Sequence, residues 1–466
     1  MVRVFKQYIP ISFIALALIE TAVLFFSVYA GVAIWKSAFP NYVLELQTPL
    51  YWIAIVFLLI INLSLVAMGL YQRRFRYGMA GIILRICSAF VLAAVAISLV
   101  IYLVPALFLD RGPLIVGLIL ALIFVSVVRV GYLKTVDQSI LKRRILVLGA
   151  GDMASQISKN LRRATDQRGF TIVGYVHVRG EHDVVDENLI IRPDVPLLTL
   201  ATQLQADEIV VAVGERRRRS FPVHELLDCK LSGIDVIDLL QFFEREVGKI
   251  KLDFLNPSWL IFSDGFDQSE VQALMKRIFD VAMASLLFLV AWPAMILVAL
   301  AIIIESKGRG PIFYKQVRVG QHWKLFSVIK FRSMRVDAEK NGAQWAQKKD
   351  SRVTKVGEFI RKVRLDELPQ IFNVLKGDMS FVGPRPERPE FVTDLTEKIP
   401  YFAERHRVKP GITGWAQICY PYGASEKDSL EKLQYDLFYI KNYSLFLDMV
   451  IILQTAHEVT WGKGGR

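Results

Sequence analysis

The sequence predicts a mixed membrane protein in three parts: a four-helix transmembrane bundle, a Rossmann-like α/β module, and a mainly helical domain carrying a re-entrant membrane helix. Three observations carry that reading. Four apolar runs of near-bilayer length open the chain. Short apolar strands then alternate with helical stretches, and a fifth apolar run interrupted by a proline precedes a basic remainder rich in Gly and Pro. The boundaries fall at 1–135, 140–265 and 271–466, with the fifth run at 276–304.

The four opening runs are Ile11 to Trp35, Tyr51 to Leu70, Ile82 to Val104 and Leu114 to Val130. Each approaches the ~20 residues a helix needs to cross a bilayer. The first lacks a cleavage-like ending and is followed by three more, so it reads as an anchor rather than a removed signal peptide. Tyr51, Trp52, Tyr71 and Tyr102 sit near run ends, where amphipathic rings favour the membrane interface. Arg3 and Lys6, then Arg73, Arg74 and Arg76, then Arg129, Lys134, Lys142, Arg143 and Arg144 occupy alternate ends, against only Lys36 and Arg111 on the other side. Positive charge stays in the cytoplasm, so four crossings leave both ends of the bundle there. Glu20 and Arg85 fall within or at the edge of runs, where an ionisable group is either functional or pairs one helix with another.

Composition agrees with membrane segments joined to cationic soluble parts. Hydrophobic residues make up 53% of the 466, yet 57 Lys and Arg stand against 44 Asp and Glu. A net charge of +13 suits anionic headgroups, nucleotides or phosphorylated lipids. No zinc-finger spacing or RNA-binding aromatic motif is present, so nucleic acid is not expected as a partner. The three cysteines, Cys87, Cys229 and Cys419, are scattered and form neither a disulfide framework nor a CxxC pair. Arg216 to Arg219 read as a solvated loop.

The second part is α/β because Ile145 to Leu148, Phe170 to Val176 and Glu208 to Val213 are short apolar strands separated by helical stretches, the pattern of a parallel sheet. Gly149, Gly151 and Ala154 match a GxGxxG/A turn between strand and helix, where backbone can approach a pyrophosphate. The acidic residue expected about 20 residues on, at the end of the second strand, is missing; no carboxylate comes before Glu181. None of the 16 tyrosines has Lys four positions later, as a short-chain epimerase or dehydratase would need. Gly149 and Gly151 are therefore candidates for binding an unidentified ligand, not for redox chemistry.

The fifth run carries positive charge at both ends, with Lys276 and Arg277 before it and Lys307, Arg309, Lys315 and Arg318 after it. Both flanks read as cytoplasmic, and Pro293 removes a helix hydrogen bond near the middle. The expectation is a helix that dips into one leaflet and returns.

Candidate chemistry lies beyond it. Asp366 and Glu367 are adjacent and follow Arg361 and Arg364. On a helix, neighbouring side chains diverge by about 100°, so one carboxylate can face a phosphorus while the other reaches a metal. A carboxylate can attack phosphorus covalently, with Mg2+ and arginines neutralising the transferred group. Arg385 lies between two prolines, a stiff setting for a guanidinium that holds phosphate, and Lys330 and Arg332 add cations. No GxxxxGK[ST] loop occurs, which argues against an ordinary ATPase or kinase.

At four segments the chain resembles the bacterial polyprenyl-phosphate sugar-1-phosphate transferases, monotopic phosphoglycosyl transferases. They are Arg352-Val-Thr-Lys-Val-Gly357, Leu365-Asp-Glu-Leu-Pro-Gln370, Val382-Gly-Pro-Arg-Pro386 and Gly411-Ile-Thr-Gly-Trp-Ala-Gln417. The resemblance runs from Lys276-Arg-Ile-Phe-Asp280 to the end; the four helices and α/β module resemble the extension of the large subfamily. Tyr420-Pro-Tyr-Gly-Ala-Ser425 and Tyr435-Asp-Leu-Phe-Tyr-Ile-Lys441 resemble an exosortase-associated exopolysaccharide subgroup. The resemblance implies that Asp366 attacks a UDP-sugar, expels UMP and carries a phosphosugar, which undecaprenyl phosphate then accepts to begin exopolysaccharide or related glycan synthesis. It implies further that Glu367, with Asp366, positions Mg2+, that Lys330, Arg332, Arg361, Arg364 and Arg385 hold substrate phosphate, and that the enzyme works at the cytoplasmic face of the bacterial inner membrane among membrane lipid. A homo-oligomer is a further expectation. Glucose and galactose are the sugars expected first. One departure stands out: the family often has a small residue before the helix-breaking proline, and this chain has Trp292. The competing readings are a membrane-anchored nucleotide-sugar epimerase or dehydratase and a non-catalytic scaffold of the polysaccharide machinery.

Overall fold

The computed structural model describes residues 2–4, 7–9, 11–43, 46–68, 70–71, 79–137, 142–161, 169–214, 221–255, 266, 269–336, 338, 352–420, 423 and 425–460. Arg73, Arg74, Arg76, Lys6, the Arg216–Arg219 cluster, and Pro421, Tyr422 and Ala424 lie outside them. Apart from the first seven residues, the chain divides into two compact units, 8–242 and 243–466.

In the first unit the opening runs form helices Ile11–Ala38, Leu50–Ala67, Met79–Leu103 and Arg111–Asp137. The first packs on the second and fourth, and the third on the second and fourth. Leu24, Phe57, Ile61, Leu65, Ile86 and Val125 fill their shared core, while Leu18, Phe26, Leu59, Val91 and Val127 stay exposed. Apolar side chains on an outward face are what a lipid surroundings requires, and five helices among the described residues are long and apolar enough to cross a membrane. The chain is a membrane protein. Between Glu20 and Arg85, the two ionisable residues flagged in the runs, Glu20 pairs helices: Arg129 Nε lies 2.7 Å from its carboxylate, and the Tyr71 hydroxyl donates to it as well. The Arg85 guanidinium donates to the Met68 carbonyl at 2.9 Å. A buried charge is tolerated only when so compensated.

The same unit holds a five-stranded parallel sheet in the spatial order Ile190–Ile191, Phe170–Val176, Arg143–Leu148, Glu208–Val211, Asp235–Asp238. Numbered along the chain this is 3-2-1-4-5, the order of a doubly wound sheet. The three strands legible as apolar runs occupy its centre, where both faces are covered and continuous hydrophobic sequence is required. The two outer strands, only half-buried, carry no such signal.

In the second unit, helix Glu270–Glu305 runs unbroken through Pro293. The proline thus interrupts no secondary structure; it removes one donor, which leaves the Leu289 carbonyl without its helix partner. Ser269 caps the start by accepting from Gln272 N. Residues 276, 280, 284, 291, 295, 298 and 302 are buried along one face at helical spacing. The opposite face is apolar and open, with Leu289 69%, Val290 73% and Leu297 67% exposed. Antiparallel strands Phe313–Val319 and Leu325–Phe331 follow, then short helices Lys355–Lys362 and Gln370–Lys376 and a parallel pair, Ser380–Val382 with Gly411–Thr413. Helices Glu426–Lys441 and Leu445–Thr460 close the unit.

Both ends of the long helix are fastened to this one unit. Near its start, Lys276 Nζ bonds Asp280 at 2.9 Å and Asp448 at 2.8 Å, Asp280 accepts from Ser380 Oγ and Phe381 N, and Arg277 donates to the Val374 and Leu375 carbonyls. Near its end, Val298 and Ile302 join Phe331 and Ile360 in one core, and Glu305 accepts from Val356 N at 3.2 Å.

Candidate active site

The carboxylate pair sits on a tight turn. Helix Lys355–Lys362 is capped by Thr354, which accepts from Gly357 N at 2.9 Å. Two residues past its end Arg364 adopts φ 60°, a left-handed conformation that costs a non-glycine residue of order 1 kcal/mol or more and reverses the chain. One 3₁₀ turn, Leu365–Glu367, then presents both carboxylates before Pro369 opens the next helix. Asp366 is 8% exposed and Glu367 9%.

The two are not equivalent. Glu367 Oε1 accepts from Lys330 Nζ at 2.8 Å and from Arg385 Nη2 at 2.7 Å, and its Oε2 lies 3.8 Å from Arg364. Burial alone would raise its pKa, but Arg385, Lys330 and Arg364 outweigh burial and hold it well below the usual carboxylate range. The Asp366 side chain makes no hydrogen bond or ion pair among the described residues. Burial and then the negative charge of Glu367 push its pKa up, while Lys330, Arg361 and Arg364 pull against them. Lys330 is pulled down by burial, opposed by Glu367. The result is one anchored anion that assembles a ring of cations and one unencumbered carboxylate beside it.

Backbone contacts position that ring. Asn373 on the helix after the turn accepts from Ile329 N at 3.0 Å and donates to Ser327 O at 2.8 Å, clamping the strand that carries Lys330. Arg405 donates to the Arg385 carbonyl at 3.0 Å and to Asp436 at 2.9 Å, and Arg318 donates to the Pro386 carbonyl at 3.1 Å. Gly383 and Gly411 allow the two parallel strands to cross here: a Cβ on Gly383 would lie 2.3 Å from the Lys409 carbonyl and one on Gly411 2.0 Å from Gly383 N. Asn373, Arg405 and Asp436 were not anticipated. Asp436 is in the quoted Tyr435–Lys441 segment, but nothing in that segment signals a partner 31 residues away.

The structure thus brings together Asp366, Glu367, Lys330, Arg361, Arg364 and Arg385. It places Arg332 elsewhere: one residue past the end of the strand Leu325–Phe331, its guanidinium donates to the Arg309 carbonyl at 3.0 Å, against Gly310. Trp415 of the Gly411–Gln417 segment is structural, donating to the Gly248 carbonyl at 2.8 Å and stacking on Phe438.

Among the described residues no group of three or more His, Cys, Asp and Glu could hold a metal. The pair nevertheless fits magnesium, which prefers oxygen donors and commonly takes one or two carboxylates with phosphate and water completing its shell. Asp366 and the less engaged Oε2 of Glu367 would supply its protein donors.

Gly149 and Gly151 have a different setting. A Cβ on Gly149 would lie 3.3 Å, and one on Gly151 3.4 Å, from Glu181 Oε2. Glu181 Oε1 accepts from Gly214 N at 3.1 Å, and Oε2 is buried without a hydrogen-bond partner. The space over the turn that would suit a pyrophosphate holds a carboxylate of the chain itself.

Comparison with known proteins places these features. The family model described as "Bacterial sugar transferase" matches residues 271–462. The chain is 39% identical to the UDP-N-acetylgalactosamine-undecaprenyl-phosphate N-acetylgalactosaminephosphotransferase of Aeromonas hydrophila, over 61% of this chain and 65% of that protein. It is 34% identical to the undecaprenyl-phosphate glucose phosphotransferase of Komagataeibacter xylinus, over 69% of this chain and 60% of that protein. It is 32% identical to the UDP-glucose:undecaprenyl-phosphate glucose-1-phosphate transferase of Xanthomonas campestris pv. campestris, over 75% of this chain and 73% of that protein. The chain therefore spans less than two thirds of the length of the first two and nearly three quarters of the third.

Proposed function

The chain belongs to the bacterial polyprenyl-phosphate sugar-1-phosphate transferases, and from that premise we propose that it transfers a sugar-1-phosphate from a UDP-sugar to undecaprenyl phosphate, initiating a bacterial glycan. The observation that carries this is the unpaired Asp366 carboxylate beside cations gathered by Glu367. A carboxylate oxygen of Asp366 attacks the β-phosphorus of the donor. The bond from that phosphorus to the bridging oxygen breaks, UMP leaves with the electron pair, and the phosphosugar remains on Asp366 as an acyl phosphate. An oxygen of the lipid phosphate then attacks the same phosphorus, the acyl–oxygen link to phosphorus breaks, and Asp366 is regenerated as undecaprenyl-diphospho-sugar departs. Lys330, Arg361, Arg364 and Arg385 hold phosphate oxygens and stabilise charge as it moves to the leaving group. Mg2+, held by Glu367 and Asp366, supplies further neutralisation of the diphosphate when bound. The sugar belongs to the glucose and galactose series, including N-acetylgalactosamine, which the names of the relatives span.

The chain divides into a four-helix spanning domain (1–135), a Rossmann-like cytoplasmic module (140–265) and the catalytic domain (271–466), at the inner membrane with both soluble parts in the cytoplasm. Re-entry of the helix around Pro293 is supported by the attachment of both its ends to one unit, and by positive charge on both flanks. Cysteines introduced near Lys276 and Lys307 in sealed vesicles should be labelled from the same face; opposite faces would rule out re-entry. The activity itself is tested by UMP release from a panel of UDP-sugars with and without undecaprenyl phosphate. Release that depends on one sugar and is sustained only with the lipid is expected, and no release with any sugar contradicts the proposal.

A further inference from the structure

The long helix and the strand hairpin enclose an apolar groove of about 550 Å³. Phe288, Trp292 and Ile296 form its helix wall; Phe313 and Phe331 form the hairpin wall, and Phe372 a third side. Phe313 and Phe331 stack at 5.3 Å, and Phe288 meets Phe372 edge-on at 5.8 Å. Trp292 is 48% exposed and Phe372 39%, too open for core residues of their size.

Resting on the transferase reading above, we propose that this groove holds the first isoprene units of the lipid acceptor, with Trp292 and Phe372 as residues that determine acceptor chain specificity. The volume lies within the ~300–1,000 Å³ of ordinary small-molecule sites, so it takes a segment of chain and not the whole of it. The lining side chains are entirely hydrocarbon except for the indole N–H and one thioether, so nothing there recognises a sugar, a nucleotide or a phosphate. The groove and the reacting centre are built on the same two elements, the strand Leu325–Phe331 and the helix Gln370–Lys376. Phe331 follows Lys330, and side chains alternate across a strand, so one face of that strand sends an ammonium to Glu367 while the other sends a ring to the groove. Phe372 stands six residues beyond Asp366, on the helix that the catalytic turn begins. A molecule with a phosphate at one end and a hydrocarbon at the other matches both faces at once. The outer face of the same helix is open and apolar at Leu289, Val290 and Leu297, so the groove gives laterally onto hydrocarbon rather than water.

The test uses full-length protein in detergent and two readouts. The first is covalent label on the protein from UDP-sugar without lipid, which does not involve the groove. The second is the KM for prenyl phosphates of C15 and C55 length. Trp292→Gln and Phe372→Gln should raise the KM for C55 prenyl phosphate about ten- to hundredfold, the loss expected for a large apolar contact. They should leave the lipid-independent label and the KM for UDP-sugar unchanged, and Trp292→Phe should recover most of the affinity. An unchanged lipid KM with intact label overturns the groove assignment alone. Absence of label from wild-type protein overturns the covalent transferase reading instead, and this proposal with it. Should either variant fail to fold, wild-type protein is cross-linked with a prenyl phosphate bearing a photoreactive group on its first isoprene. Adducts at 288–299 or at Phe372, competed by C55 prenyl phosphate, are expected. Adducts elsewhere, or adducts competed equally by phospholipid, make the groove an ordinary contact with bulk membrane and overturn the assignment.

Discussion

The chain contains two turns that invite phosphate, and they differ in who supplies the negative charge. At Gly149–Gly151 the chain supplies it: the Glu181 carboxylate lies over the glycines and bonds Gly214 N. At Leu365–Glu367 the chain supplies the positive charge, and Asp366 has no hydrogen-bond or ion-pair partner among the described residues. A glycine fingerprint marks where backbone can come close to an anion; it does not say that the anion comes from outside. The carboxylate pair carries the opposite lesson. A lone Asp-Glu is common surface charge, and it becomes a reacting centre only once strands and helices distant in sequence deliver cations to one member and withhold them from the other.

The contrast can be broken most sharply at Asp366. Asp366→Asn retains size and polarity and should lower the rate of UMP release by about 10⁴-fold or more, as loss of a nucleophile does, with unchanged thermal unfolding. Near-normal turnover would transfer the role to another group. Next in size are the cations: Arg385→Met or Lys330→Met should cost roughly 10²-fold in turnover, the order seen when one charge-stabilising donor is lost. Steady-state rates with the preferred UDP-sugar check this, and a change confined to thermal stability would make Glu367 and its partners structural.

A smaller effect is a displacement along the pH axis. Attack requires the Asp366 anion, and burial followed by the charge of Glu367 holds its pKa above the ordinary 3.8. The rate should therefore climb with pH through that raised value and level off above it. Glu367→Gln removes the negative neighbour and frees nearby cations, so the residual activity should rise at lower pH than in the parent. A limb that stays in place or moves to higher pH would contradict the coupling. The smallest effect is expected at the other turn. With Glu181 over the glycines, millimolar NAD should shift Tm by less than about 1 °C, and Glu181→Gln should leave transferase turnover unaltered. Dinucleotide binding by the parent protein would end the contrast.

Much of this architecture could be read from the sequence because its signals are local. Apolar runs of membrane length and three central strands covered on both faces need no knowledge of distant contacts. The outer strands Ile190–Ile191 and Asp235–Asp238 escaped because half-buried strands need no continuous apolar run. Within the site, Asp366, Glu367 and Arg385 stood out by adjacency and by their prolines. What could not be read was the sorting of the cations. Lys330 and Arg332 look alike in sequence, yet Lys330 lies within its strand and reaches Glu367, while Arg332 lies just past the strand's end and donates to the Arg309 carbonyl. Asn373, Arg405 and Asp436 gave no signal, since each acts through a backbone carbonyl, an amide or a partner far along the chain.

The central claim is that Asp366 carries the phosphosugar. Protein incubated with Mg2+ and UDP-sugar radiolabelled in the sugar, without lipid acceptor, and then quenched and digested, gives the most direct answer. Label should appear on the peptide containing Asp366, be discharged by undecaprenyl phosphate, and be absent from Asp366→Asn. A fully active enzyme that acquires no label on that peptide would contradict the claim and make direct displacement by the lipid phosphate the mechanism.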